Sequence, residues 1–266
     1  YETYMATAET VAAIHGFRTM PVEAMDAVIE AAAPVRGSED YADQVKRRDS
    51  LIKARDEVTK MRKADPVAYA SATGDFGVKE INFDDANSLL SQVASRAQSA
   101  EDRARAYGTE AKIFSAPELS QLRTRLDALD AREKATLLAQ IAAASGDEGV
   151  SVVRRQIGDK YETGFLLAAD PAMRASGTAE AYFLGKAGIA EKQLKVGIVT
   201  APSTGVPLRA EKLNGLIDNP AVRERVLDSI TAVAAGKVMA GESSGAAMDQ
   251  AMMEIVGDIQ EHNGYK

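Results

Sequence analysis

Glu242 lies in the stretch Gly241-Glu-Ser-Ser-Gly245, and a glutamate followed by serine near a helix start is one way to hold a general acid against a glycosidic bond. Such an acid needs an enclosing cleft to raise its pKa. The small residues around Glu242 predict instead a solvated connector and a cap for the next helix. A second candidate, Gly185-Lys-Ala-Gly188, has the glycines and lysine of a phosphate cradle. It lacks the preceding strand, the first glycine at the required offset and a Ser or Thr after the lysine. A close helix crossing or a cap is the expected use of these glycines.

The stretch 46–63 carries Lys46, Arg47, Arg48, Lys53, Arg55, Lys60, Arg62 and Lys63 against Asp49, Asp56 and Glu57, a local excess of five positive charges. A helix of this kind can lie along nucleic-acid phosphates. Tyr41, Val45, Ile52, Val58 and Met61 mark an apolar seam on it, and its acids supply local ion pairs, which predicts a solvated face. His15 and His262 stand far apart, and neither has a second ligand at helical spacing. Asp84 and Asp85 are adjacent, so they do not share a helix face and suit a helix cap better than an acid–base pair. The residues thus present no catalytic, cofactor-binding or metal-binding set.

Composition narrows the classes further. The formal charge of −7 opposes general affinity for nucleic acid or anionic membranes. The absence of cysteine excludes disulfides, thiolate metal sites and cysteine nucleophiles. No apolar run is long enough to span a bilayer, so the segment is expected to be soluble. Alanine is abundant, aromatics are only 5% and tryptophan is absent. Packing must therefore rely on close helix–helix approach through small and aliphatic side chains.

Periodicity predicts an all-α fold, an irregular array of about nine to eleven helices. Ala86, Leu90, Val93, Ala97, Ala100, Ala104 and Tyr107 draw one stripe, which predicts a single helix started by Asp84 or Asp85 and stopped by Gly108. Ser115-x-x-Glu118 and Asp130-x-x-Glu133 are capping boxes. Asp65-Pro66, Asp170-Pro171 and Asn219-Pro220 each place a capping side chain before a proline that fits a first helical turn. Val222, Val226, Ile230 and Val233 form one later seam, and Met248, Met252, Ile255 and Ile259 another. Residues 38–63, 147–158 and 178–192 also read as helices. Thr73–Phe83 is irregular, and Leu194–Leu208 is expected to be a loop or short strand.

The C-terminal third resembles a segment of very large internal virion proteins of tailed phages and prophages. Its carriers are Ala179-Glu-Ala-Tyr-Phe-Leu-Gly-Lys-Ala-Gly188, the proline-bearing connector to Pro207, Asn219-Pro-Ala-Val-Arg-Glu-Arg-Val226, and the ending from Met253 to Lys266 with its pattern Val-Gly-x-Ile-x-x-x-Asn-Gly-x-Lys. Arg62-Lys-Ala-Asp-Pro-Val-Ala-Tyr69 resembles a further recurring element. The resemblance implies a non-enzymatic helical region of a genome-ejection protein, often encoded with a lytic transglycosylase module. It implies partners among portal, tail and other ejection proteins, a homo-oligomer, and location in the virion with delivery to the host-cell envelope. The Asn-Pro and Gly-x-Met-Gln elements that follow the acid in lytic transglycosylases are missing after Glu242, so no active-site residue carries over. The alternatives are a peptidoglycan-degrading module using Glu242 and a DNA-contacting arm using 46–63. The expected organisation is an N-terminal helical region over 1–75 with the basic helix, then a helical array over 76–266, as part of a longer polypeptide.

Overall fold

The computed structural model describes residues 2–190, 213 and 216–257, with side chains from residue 8 onward apart from Ala190. It is 79% helical, with thirteen α-helices and no strand among the described residues. The all-α expectation holds, with a helix count slightly above the predicted range. The stretch Leu194–Leu208, expected to be a loop or strand, lies outside the described residues.

In chain order the helices are α1 (Glu2–Gly16), α2 (Val22–Ala31), α3 (Tyr41–Ala64), α4 (Pro66–Thr73), α5 (Ala86–Gln98), α6 (Ala100–Tyr107) and α7 (Ala116–Ala128). There follow α8 (Ala131–Ile157), α9 (Asp159–Ala169), α10 (Pro171–Ala175), α11 (Thr178–Ala190), α12 (Pro220–Met239) and α13 (Ser244–Val256). All three Asx-Pro steps start helices as their chemistry requires. Asp65 Oδ1 accepts from the N–H groups of Val67 and Ala68 at 3.1 and 2.9 Å. Asp170 Oδ1 accepts from Ala172 and Met173 at 2.7 and 3.1 Å, and Asn219 Oδ1 from Ala221 and Val222 at 3.0 and 3.3 Å. Asp130 and Glu133 close the predicted capping box at the head of α8.

The long stripe from Ala86 to Tyr107 is interrupted, and this corrects the prediction of one helix. Asp85 caps α5 and Gly108 ends α6 as expected, but Ser99 leaves helical geometry at φ −101° and ψ 2°. Its Oγ donates back to the Ser95 carbonyl at 3.2 Å, a bond that bends helices. The buried line is also shifted: Leu89, Val93, Arg96, Ala100, Arg103, Ala104 and Tyr107 point inward, whereas Ala86 is exposed. Two arginines thus occupy positions of an apolar seam.

The chain divides into two compact units, residues 1–122 with 144–156, and residues 123–143 with 157–266. This division does not fall at residue 75. Phe17, Met25, Leu51, Val58, Val67, Tyr69, Val78 and Tyr107 share one buried cluster, which takes residues from both sides of that position into the first unit. Within α8, Gly146 adopts φ 65° and ψ 176°, a conformation open to glycine alone, so two helical arms meet there.

The second unit is built on the pairing of α11 with α12. Residues Ser229 and Ile230, and all of Ala232–Lys237, are buried on α12. Gly185 and Gly236 make the crossing close. A Cβ added to Gly185 would overlap the Ala232 carbonyl and sit 2.7 Å from the Gly236 nitrogen; one added to Gly236 would overlap the Ala181 carbonyl. The close-crossing reading of Gly185 is therefore the one realised. Phe183 presses the end of its ring on Gly164 of α9, where a Cβ would overlap it. Helix backbones in contact cannot yield to a methyl group as a flexible side chain does. Gly185→Ala is expected to destabilise the second unit by about 2 kcal/mol or more, read as a lowered urea midpoint for the α11–α12 transition, whereas Gly245→Ala, with open space at its Cβ, should leave it within about 0.5 kcal/mol.

Candidate functional site

The sequence-derived candidates fall in different surroundings. Glu242 stands in the connector between α12 and α13, where its backbone N–H donates to the Lys237 carbonyl at 3.0 Å. Its Oε1 is 4.0 Å from Lys237 Nζ. Its Oε2 is enclosed and receives no hydrogen bond. The expectation of a solvated connector is thus met only in part, because this carboxylate is half-buried. On the basic helix, Arg62 is wholly buried and contributes nothing to a surface. Lys46 pairs with Asp43, Arg47 with Glu9, and Arg55 with Asp26 and Asp56. The exposed cations left on α3 are Arg48, Lys53, Lys60 and Lys63. His15 is exposed on α1, and His262 lies outside the described residues. Asp85 caps α5, with its carboxylate accepting from the Asn87 N–H at 2.9 Å. No group of three or more metal-ligating side chains occurs among the described residues.

The main concentration of buried charge, which the sequence did not single out, lies in the first unit around the irregular segment 109–115. Arg96 of α5 is fully buried and meets Glu118, in the first turn of α7, in a two-pronged ion pair with N–O distances of 2.7 and 2.8 Å. The same guanidinium donates to the carbonyls of Ile113, at 3.0 Å, and Lys79. Glu118 Oε2 also accepts from the N–H and hydroxyl of Ser115, both at 2.9 Å, and Oε1 from the Ile81 N–H at 3.2 Å. The predicted capping box is thus formed, with Ser115 Oγ accepting from the Glu118 N–H at 3.4 Å, and its glutamate serves a second purpose. Burial pushes the Glu118 carboxyl upward, but the donors from Arg96 and Ser115 outweigh it and hold the group below its ordinary value.

Two neighbouring arginines bind backbone without an acid. Arg103 donates to Ser99 Oγ at 3.2 Å and to the Lys112 carbonyl. Burial, then the like charge of Arg96, brings its guanidinium down to about 10, so it stays protonated at neutral pH. Arg62 donates to the carbonyls of Met20, Phe17 and Arg18 at 2.8, 3.3 and 3.0 Å, in the turn after α1. It lies 4.2 Å from the Tyr107 ring centre and 5.3 Å from that of Tyr69, a cation–π enclosure. The Tyr107 hydroxyl donates to Asp75 at 2.6 Å, and burial and this bond both raise its pKa. Gln156 completes the frame, accepting from the N–H of Ile113 at 2.7 Å and donating to the Phe114 carbonyl at 2.9 Å. Asp65 adds a second cap, its Oδ2 accepting from the Ala116 N–H at 2.7 Å.

This arrangement is suited to holding backbone in place. Every oxygen of Glu118 is committed to donors, which leaves it neither a proton to give nor a lone pair aimed at open space. In the second unit, an open cavity of about 360 Å³ is lined by Arg132, Thr136, Gln140, Arg174 and Glu180 over an alanine floor. It contains no nucleophile paired with a base. Another cluster, Arg123, Asp127, Lys160 and Tyr161, borders about 290 Å³ at the start of α9. There Asp127 accepts from both Lys160 and Tyr161. Burial and the Asp127 bond push the Tyr161 hydroxyl up to about 12. No helix of the described residues is long and apolar enough to cross a membrane. Comparison with protein-family models, curated proteins and solved structures gives no match for this chain.

Removing the Glu118 charge leaves Arg96 buried without its counter-ion. Glu118→Gln should cost about 3 kcal/mol or more in urea unfolding at neutral pH. Because the folded-state pKa is depressed, the contribution of Glu118 is complete above its ordinary value of 4.5 and is lost as pH falls through the lower folded value. The native chain should therefore lose stability in that acid range, and Glu118→Gln should show a shallower acid slope in the same titration.

Proposed function

We propose that this chain is a structural and assembly segment of a phage internal virion protein, without its own activity, that acts in genome ejection and passage across the cell envelope. The observation that carries the reading is where the resembling stretches lie. Ala179–Gly188 belongs to α11, Asn219–Val226 opens α12, and Met253 and Glu254 belong to α13. The helices that carry these stretches pack on one another: Gly185 meets Ala232 and Gly236 of α12, and Glu254 of α13 reaches both Thr178 and Lys237. These three stretches thus lie on helices of one packing unit, and the further element Arg62–Tyr69 lies in the first unit. The commitment of the buried arginines to backbone carbonyls suits an architectural part, and the lack of cysteine means that passage through a narrow channel breaks no covalent cross-link. Other virion proteins, and further copies of this chain, are the proposed partners.

The test is whether the polypeptide is a particle component. Purified particles from the phage or prophage encoding it should contain the chain by immunoblot, and particles triggered to release their DNA should lose it together with the genome. Its absence from intact particles would overturn the proposal.

A second reading, a peptidoglycan-degrading module, draws on the enclosed and unbonded Oε2 of Glu242. It requires the purified chain to clear a cell-wall suspension and Glu242→Gln to abolish that clearing. No clearing by the native chain is the expected outcome.

A further inference from the structure

Lys237, near the end of α12, is buried to 9% side-chain exposure and stands between two carboxylates of unequal reach. Glu254 of α13 holds it at 3.0 Å, and Gln250, one turn earlier on the same helix, accepts from it at 3.1 Å. Glu242, in the connector, is 4.0 Å away. The other oxygen of Glu254 accepts from the hydroxyl of the fully buried Thr178 at 2.7 Å, so that one carboxylate ties α13 to both α11 and α12. Glu242 has no comparable commitment, since its Oε2 is shut away from solvent and accepts nothing. An enclosed carboxylate oxygen without a donor is costly, and a lysine within reach is the group that would relieve it.

The rest of α13 packs on α12 through mostly small side chains. Its buried residues are Ala247, Met248 and Ala251, two of them alanines with little apolar surface, while Met253 is 63% exposed. Ser243, at its N-cap position, makes no side-chain capping bond. The connector carries Gly241 at φ 104°, where other residues are strained. Glu242, by contrast, is anchored by its backbone bond to the end of α12 and would stay there if α13 left.

We propose that α13 is a strap that opens independently of the α11–α12 pair, and that opening exchanges the partner of Lys237 from Glu254 to Glu242. In the closed form the lysine is paired to the strap and Glu242 waits with an unbonded oxygen. In the open form the strap takes Glu254 and Gln250 away, and Glu242 closes the remaining gap to keep the ammonium paired. The exchange removes the main obstacle to lifting a helix off a buried lysine, which is leaving that charge without a counter-ion. Opening uncovers the face of α12 that Ala247, Met248 and Ala251 cover, making the strap a built-in control on access to it.

The two carboxylates therefore have opposite effects, and hydrogen exchange of the full chain, read by mass spectrometry, separates them. Amides of α13 should exchange through a local opening, ahead of those of α11 and α12. Glu254→Gln should speed α13 exchange by about ten-fold or more, because it weakens the closed form. Glu242→Gln should slow it, because the open form loses its replacement partner. Thr178→Val, which removes the hydroxyl bonds to Glu254 and to Ser176 but leaves the Lys237–Glu254 pair, should speed it by a smaller factor and serves if Glu254→Gln does not fold. Unchanged protection of the α11–α12 amides shows that each variant remains folded. Exchange of α13 only together with α11 and α12, or a Glu242→Gln variant that exchanges as fast as or faster than the native chain, would overturn the proposal.

Discussion

Three guanidiniums sit in the interior of the first unit, and among the described residues only Arg96 faces a carboxylate; Arg62 and Arg103 spend their donors on carbonyl and hydroxyl oxygens. The irregular segments of this unit require such groups. The turn after α1 and the irregular stretch 109–115 bring backbone carbonyls against the interior without a sheet or helix to satisfy them, and a buried carbonyl without a donor costs a large part of a hydrogen bond. A guanidinium answers several such carbonyls at once, because its planar fork carries five donors and sheds its hydration more readily than an ammonium. The apolar clusters can close around these segments because the arginines have made them acceptable to bury.

The second unit meets the same demand by another route. Its central helices are regular along their described lengths, so their backbone needs little outside help, and what matters is how near they come. Alanine and glycine on α11 and α12 bring one backbone against the other, where dispersion contacts are dense and few side-chain rotamers are lost. Polar groups enter only at the edge, through Lys237 and its acids. The first unit is thus locked by directional bonds and the second by shape, and the two should respond differently to substitution. Conservative exchange of an arginine by lysine is harmful in one, and addition of a single methyl group in the other.

Much of the helical layout was legible in the residues. Asx-Pro steps and capping boxes are short-range devices whose chemistry is complete within four residues, and all of them appear where their spacing places them. The single helix expected from Ala86 to Tyr107 failed for an equally physical reason: an apolar stripe runs on through a bend, so periodicity cannot see the break at Ser99. The inward line also passes through two charged residues, Arg96 and Arg103, which an apolar pattern leaves out. Leu89, Val93, Arg96, Ala100, Arg103 and Tyr107 keep steps of four and three, and a reading that allowed arginine at seam positions would have found them. Glu118 was legible as a cap and illegible as an ion-pair partner, because that role depends on a residue twenty-two positions earlier on a different helix. For Gly185 the residues leave a crossing or a cap open, and nothing local identifies Gly236 as its counterpart.

Arg62 illustrates what it means to recognise main chain instead of side chain. Carbonyl oxygens are present whatever residues stand at positions 18 and 20, so the clamp itself sets no side-chain requirement there, whereas Phe17 is fixed by its place in the core. The carbonyl half of the clamp then has no side chain to change with it, and would leave no trace in co-variation between related sequences, unlike the contacts of the same guanidinium with Tyr69 and Tyr107. Backbone-reading arginines of this kind escape methods that infer proximity from paired changes, and they are to be sought as invariant cations inside otherwise apolar periodicity.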